Sequence, residues 1–284
     1  NAQLPGDWNV VLTVSRDTEL ALDTTLMDWT RDFPVSVHWV DQGLWERWHW
    51  SGTSLQMHLY PHDSDVILFM DADTVVVGSL AELIESVAKE PVVAAWPAWQ
   101  PPTDADMDAV LREFGFAEVE KTLTYSGYGL AFESPRHAPP YFNLGFVAAH
   151  RTIASDMALS ITRDFDDVAA RCRSLYHDQI AVCLNILRQG YRYRALDMRF
   201  NASNGAWDPG APPPFASAES AAVVASINAM IDDIRVMHYL VESESFTRKR
   251  TMDGFDQVRA FCRRPGLDSG SIRLQQALTP LLDP

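Results

Sequence analysis

A single α/β domain built on a mixed, mostly parallel central sheet flanked by helices is the fold class this sequence predicts. Three observations predict it. Apolar, β-rich runs alternate with helical patterns through residue 96, which is the signature of βαβ units. The apolar run at 66–70 ends on two aspartates one residue apart, as strands of open sheets do where they meet a ligand. No repeat or change of composition demands a second domain in the 284 residues.

The elements follow in order. Residues 9–15 (NVVLTVS) read as the first strand, ended by the polar Arg16-Asp17-Thr18. Leu20, Leu22, Leu26 and Trp29 make 19–29 a helix. Residues 35–40 (VSVHWV) form the second strand, and 44–60 carry Trp45, Trp48, Trp50, Met57 and Tyr60 up to Pro61. The third strand is 66–70 (VILFM), followed by a helix at 80–89 capped near Ser79 and a fourth strand at 92–96 stopped by Pro97. Residues 141–150 (YFNLGFVAAH) read as a strand with an Asn and a Gly set into it. Helices are expected at 152–170 and 177–189, the latter closed by Gly190. A short strand at 191–196 leads to MRFNASNG (198–205). The Pro-, Gly- and Ala-rich stretch 207–220 is a long irregular loop, and 234–240 (IRVMHYL) is a last strand carrying His238.

Bulk properties exclude some functions. A net charge of −15 argues against nucleic-acid or anionic-membrane surfaces, which need clustered Lys and Arg. An acidic protein still holds a polyanion where a metal neutralises the phosphates. Cys172, Cys183 and Cys262 fit neither a disulfide framework nor a zinc motif, so free thiols in a reducing, cytoplasmic compartment are expected. No run approaches the ~18 apolar residues of a membrane span. The first residue is Asn1 rather than Met, so a processed terminus is expected, and a removed leader would leave no trace in the chain.

Asp71 and Asp73 carry the chemistry. On a strand they share a face about 7 Å apart, and a bend at the strand end brings both within reach of one ion. Hard cations such as Mg²⁺ and Mn²⁺ take oxygen ligands and bridge carboxylates to substrate phosphates. Two alternatives stand beside the metal. Asp71 could cap a turn and Asp73 the next helix. The run into Asp71-Ala72-Asp73-Thr74-Val75 also resembles the nucleophile strand of haloacid-dehalogenase-type phosphatases, with Asp71 phosphorylated and Asp232-Asp233 as a later acidic pair. That family expects its motif on the first strand and a Lys after it, but two strands precede the motif and no Lys lies between Lys121 and Lys249.

Further motifs follow in one order: VVLTVSRD, VILFMDADTVVVGSLAELI, Tyr141-Phe142-Asn143-Leu144-Gly145-Phe146-Val147, HDQIAVCLN at 177–185, and Val236-Met237-His238-Tyr239. Together, over roughly residues 8–242, they resemble the GT-A fold nucleotide-sugar glycosyltransferases, especially the retaining family of glycogenin and bacterial galactosyltransferases (glycosyltransferase family 8-like). The resemblance implies a transferase moving a sugar from a nucleoside-diphosphate sugar, UDP-linked, to a carbohydrate or glycoconjugate acceptor with retention. It implies Asp71, Asp73 and His238 as ligands of Mn²⁺ or Mg²⁺. Asn143 and Gly145 would line the donor-sugar pocket, Asp178 would bond sugar hydroxyls, and Gln179 would lie opposite the leaving group. Thr13 and Ser15 would face the nucleotide. Residues 8–142 would form the nucleotide-binding half, 143–242 the sugar and acceptor half, and 243–284 a tail, helical or partly mobile.

Each position has a plainer reading: Asn143 as a turn residue, Asp178 as a helix N-cap, Gln179 as a first-turn residue, His238 as a core histidine. The chain also departs from the family pattern. His238 is followed by YLVESESFTRKR rather than a Gly and a Lys-Pro-Trp-like end, which leaves Arg248, Lys249 or Arg250 to grip the diphosphate. Residues 51–65 contain no Lys or Arg, so Arg47 is the nearest basic residue ahead of the D-x-D strand. Among the tryptophans, Trp96, Trp99 and Trp207 are the acceptor-cleft candidates, since aromatic rings stack on sugar C–H faces. Trp45 and Trp48 read equally well as core. A nucleotide-sugar or carbohydrate-binding protein without turnover is the remaining alternative.

Overall fold

The computed structural model describes residues 8–14, 35–60, 62–97, 104–119, 123–124, 137–172, 177–203, 231–238, 255–265 and 269–282. Their elements are β1 (Val10–Val14), β2 (Val35–Trp39), α1 (Gln42–Gln56), β3 (Val66–Met70), β4 (Thr74–Val76), α2 (Ala81–Lys89), β5 (Val93–Pro97), α3 (Asp104–Glu113), β6 (Leu123–Thr124), β7 (His137–Ala138), β8 (Phe142–His150), α4 (Arg151–Arg171), α5 (His177–Gln189), β9 (Tyr193–Ala195), β10 (Ala202–Ser203), β11 (Val236–His238), α6 (Phe255–Arg263) and α7 (Ser269–Leu282). The class is α/β with mixed strand pairing, as expected: β1 with β2 and β10 with β11 are parallel, and β11 with β4 is antiparallel. A further four strands take the order β3-β8-β5-β9.

The described residues fall into two compact units. The first draws on Asn1–Phe69, Ala81–Val93 and Ala148–Tyr193. Its β1–β2 ladder runs from Val10↔Val35 to Val14↔Trp39. Asp41 caps α1 by accepting the Leu44 N–H at 3.1 Å, and Gln56 Oε1, from the far end of that helix, accepts the Asp41 N–H at 3.0 Å. The helix α4 buries Ile153, Met157, Ile161, Phe165 and Val168, a three-and-four spacing that makes one apolar stripe. That stripe packs on α5, whose end is turned by Gly190 at φ +68°.

The second unit draws on Met70–Leu80, Ala94–Val147 and Arg194–Pro284. Here β11 lies between β10 and β4, with Met237 opposite Ala202 on one side and Val75 on the other. Val77, Met198, Ala202, Ile234, Met237, Phe261, Leu274 and Leu278 form its core. Gln275 Nε2 donates to the carbonyls of Phe261 and Arg264 at 2.6 and 2.9 Å, tying α7 to the end of α6.

Several bounds differ from expectation. The short strand β4 follows Asp73 directly, and the helix begins only at Ala81. The strand expected at 191–196 keeps only Tyr193–Ala195, and the last strand ends at His238 among the described residues. The helix expected at 19–29 and the loop at 207–220 lie outside the described residues.

Candidate functional site: a carboxylate–imidazole cluster

The pair Asp71 and Asp73 sits on a tight turn between β3 and β4. The Asp71 carbonyl accepts the Thr74 N–H at 3.2 Å and the Thr74 hydroxyl at 2.7 Å. The Asp71 N–H donates to the Gly145 carbonyl at 3.1 Å, fastening this turn to β8. The capping alternative fails for Asp73, because a strand rather than a helix follows it. It fails for Asp71 as well, since its backbone carbonyl, not its carboxylate, closes the turn.

His238 reaches the same place from β11, where it lies opposite Thr74. Its Nε2 is 3.1 Å from Asp73 Oδ1 and 3.9 Å from Asp71 Oδ2. One ligand atom from each of the three residues lies within 4.8 Å of the others. Among the described residues, no Lys or Arg pairs with either carboxylate. Burial holds the Asp71 carboxyl above the ordinary carboxylate range; His238 draws it down, and Asp73 pushes the same way as burial. Two carboxylates and one imidazole with no cation of their own suit a divalent metal.

Around His238 the packing is close. A Cβ on Gly145 would stand 2.4 Å from His238 Cε1, 2.5 Å from Nδ1 and 2.9 Å from Asn143 Oδ1. Gly145 therefore makes room for the imidazole, a role distinct from the backbone approach to sugar expected of it. Asn143 Oδ1 accepts both the Gly145 N–H at 2.9 Å and Asn201 Nδ2 at 2.7 Å. Asn201 Oδ1 in turn faces His238 Nδ1 at 2.9 Å. Asn201 was not anticipated. The one signal for it is a polar residue set between the buried Met198 and Ala202.

Of the other sequence-predicted residues, Thr13, Arg47, Trp48, Asp178 and Gln179 lie in the first unit, Trp96 and Asp233 in the second, and Ser15, Trp99, Trp207, Arg248, Lys249 and Arg250 outside the described residues. Thr13 is half-buried in β1, and Ser15 is not described. Asp178, nearly buried at 7% exposed, opens α5, and its Oδ1 accepts the Gln179 N–H at 2.8 Å. Arg47 is not a free basic residue: its guanidinium is paired with Asp166, one N–H···O distance being 2.8 Å. Trp96 is core, 3% exposed in β5, and so is no open stacking platform. Trp48 packs on Phe165 and donates its indole N–H to Asp166 at 3.2 Å, the core reading. Trp99, Trp207, Arg248, Lys249 and Arg250 lie outside the described residues, as does the Trp50 side chain. Asp233, half of the acidic pair considered for a phosphatase, is paired with both Arg199 and Arg235.

A family model of the Rhodobacterales glycosyltransferase domain matches residues 11–190. The chain belongs to that family. The match covers more than half of the chain, and the phosphatase and the non-enzymatic readings give way to it. Asn201 and His238 lie beyond the matched span. No curated protein matches this transferase in sequence. It is similar to several solved structures at low identity. Mouse xyloside xylosyltransferase 1, apo form, is 13% identical with TM-score 0.46, covering 85% of this chain and 100% of that one. The galactosyltransferase LgtC, in complex with donor and acceptor sugar analogs, is 15% identical with TM-score 0.45 over 83% of this chain and 88% of that one. An active-site mutant of LgtC is 16% identical with TM-score 0.47, covering 96% of each chain.

All three cysteines of the transferase are free thiols. Among the described residues, no helix is long and apolar enough to cross a membrane.

Proposed function

We propose that this glycosyltransferase is metal-dependent and moves a sugar from a nucleoside-diphosphate sugar, UDP-linked, to a carbohydrate or glycoconjugate acceptor with retention of configuration. The observation that carries the reading is the meeting of Asp71, Asp73 and His238, three ligand groups from two distant segments, with no basic partner among the described residues. When bound there, a divalent ion such as Mn²⁺ or Mg²⁺ supplies Lewis-acid stabilisation of the departing nucleoside diphosphate.

The chain's own residues do the remaining work. Asn143 has its amide oxygen occupied by Gly145 and Asn201, which leaves its NH₂ group to donate to a donor-sugar hydroxyl. Asp178 accepts hydrogen bonds from sugar hydroxyls, and the Gln179 amide oxygen stabilises positive charge as the anomeric carbon becomes oxocarbenium-like. Thr13 and Ser15 hold the nucleotide, and one catalytic domain carries all of these residues.

Calorimetric titration of UDP and other nucleoside diphosphates, with and without Mn²⁺, tests the reading on wild type and Asp73→Ala. Mn²⁺-dependent binding of UDP that disappears in Asp73→Ala is expected. Binding of no nucleotide in a metal-dependent way overturns it.

A further inference from the structure

We propose that Asn201 is a positioning residue that locks His238 as the Nδ1–H tautomer and thereby presents a bare Nε2 to the cation. The proposal rests on the metal-dependent reading above.

The hydrogen bonds settle the assignment from one end. A backbone N–H can only donate, so the Asn143 side-chain atom 2.9 Å from the Gly145 nitrogen is its oxygen. That oxygen also lies 2.7 Å from an Asn201 side-chain atom, which must therefore be the donor Nδ2. The remaining Asn201 atom is then Oδ1, an acceptor, and it stands 2.9 Å from His238 Nδ1. An acceptor there requires the proton on Nδ1. In the neutral ring, Nε2 is left with its lone pair, aimed at Asp73 Oδ1 at 3.1 Å. Two acceptors facing each other repel unless a proton or a metal cation lies between them.

Burial makes this relay firm. Asn201 is 2% exposed and His238 5%, so water does not compete for the amide. The Asn201 N–H donates to the Met198 carbonyl at 3.1 Å, closing a short turn that holds its backbone. Asn201 directly precedes β10, whose Ser203 pairs with His238. A ligating histidine whose second nitrogen is held in this way keeps its orientation and tautomer before the metal arrives.

The first measurement is the ¹⁵N-detected tautomer of His238 in the metal-free wild-type protein at alkaline pH. A dominant Nδ1–H form is expected; a dominant Nε2–H form overturns the proposal. The second is Mn²⁺ affinity without nucleotide for wild type, Asn201→Leu and Asn185→Leu. Asn201→Leu is expected to weaken Mn²⁺ about 10–100-fold and to mix the His238 tautomers. Asn185→Leu, which removes an equally buried amide from the α4–α5 seam, is expected to keep wild-type Mn²⁺ affinity. Unchanged affinity in Asn201→Leu overturns this proposal alone. A wild type that binds no Mn²⁺ overturns the metal reading with it. The tautomer measurement needs no variant, so a failure of Asn201→Leu to fold leaves the test in place.

Discussion

Two clusters of buried or partly buried carboxylates solve the same physical problem in opposite ways. In the first unit, Asp164 is fully buried between α4 and α5, with Arg188 bonded to it, Arg163 at 3.3 Å and Asn185 Nδ2 at 2.5 Å. Arg188 also reaches Asp167 at 3.0 Å, so this seam balances its negative charges with its own guanidinium groups. In the second unit, Asp71 and Asp73 face one imidazole and no Lys or Arg among the described residues. A buried carboxylate is costly without a counter-charge. The chain supplies that counter-charge with Arg188 and Arg163 at the α4–α5 seam and, among the described residues, with no Lys or Arg at the Asp71–Asp73 pair.

The comparison breaks most visibly at Arg188. Arg188→Met strands Asp164 without its main partner, and a loss of about 3–5 kcal/mol in folding stability is expected from urea unfolding. Mn²⁺ affinity of the folded fraction should not change, since among the described residues Arg188 and Asp164 make no hydrogen bond or ion pair with Asp71, Asp73 or His238. A fall in affinity equal to that of a ligand variant would show that the two clusters are not independent.

A smaller effect is expected on the other side. Gly145→Ala places a methyl 2.4 Å from His238 Cε1, and the ring has to move. Mn²⁺ affinity should drop about 10–100-fold, as for other groups that orient a metal-bound histidine. Isothermal titration reads this directly, and wild-type affinity in Gly145→Ala would show that the imidazole is not a ligand.

A third site sharpens the contrast by staying neutral. His58 is buried with no hydrogen-bond partner for either ring nitrogen among the described residues, tilted against Phe69 with ring centroids 4.1 Å apart, and burial depresses its pKa to about 3, with His62 acting the same way. The unfolded chain takes up this proton near 6.5, the folded protein only near 3, so the neutral form favours folding above 6.5 and that stability is lost as pH falls. One pH unit below 6.5 the loss from His58 is about 1.4 kcal/mol. Thermal melts across that range should show a smaller acid loss in His58→Phe than in wild type; equal losses would mean His58 is protonated in the folded state.

Much of the site was legible because its signals are local. A D-x-D after five apolar residues, an Asn and a Gly inside β8, and a His inside the β-rich run 234–240 each break a pattern that packing would otherwise keep apolar, and each break proved to lie at the cluster. The strand limits 66–70 and the helix limits 177–189 are equally local, set by apolar periodicity and by Gly190 at φ +68°. Arg47 and Trp96 misled for the complementary reason. Their residue types suit a binding site, but Asp166, far along the chain, neutralises Arg47, and the sheet around β5 buries Trp96.

What the amino-acid order determined by itself was the α/β class, the position of the carboxylate pair at a strand end, and the candidacy of His238, all properties of a few neighbouring residues. Only the tertiary structure decided that Thr74 and His238 share a register, that the space above Gly145 belongs to the imidazole, and that Asn201 stands behind it. Side-chain period tells which face a residue takes, but strand order and register are set by pairing between segments that are 37 residues apart for Asn201 and His238 and 165 for Asp73 and His238, and no local pattern records the neighbour.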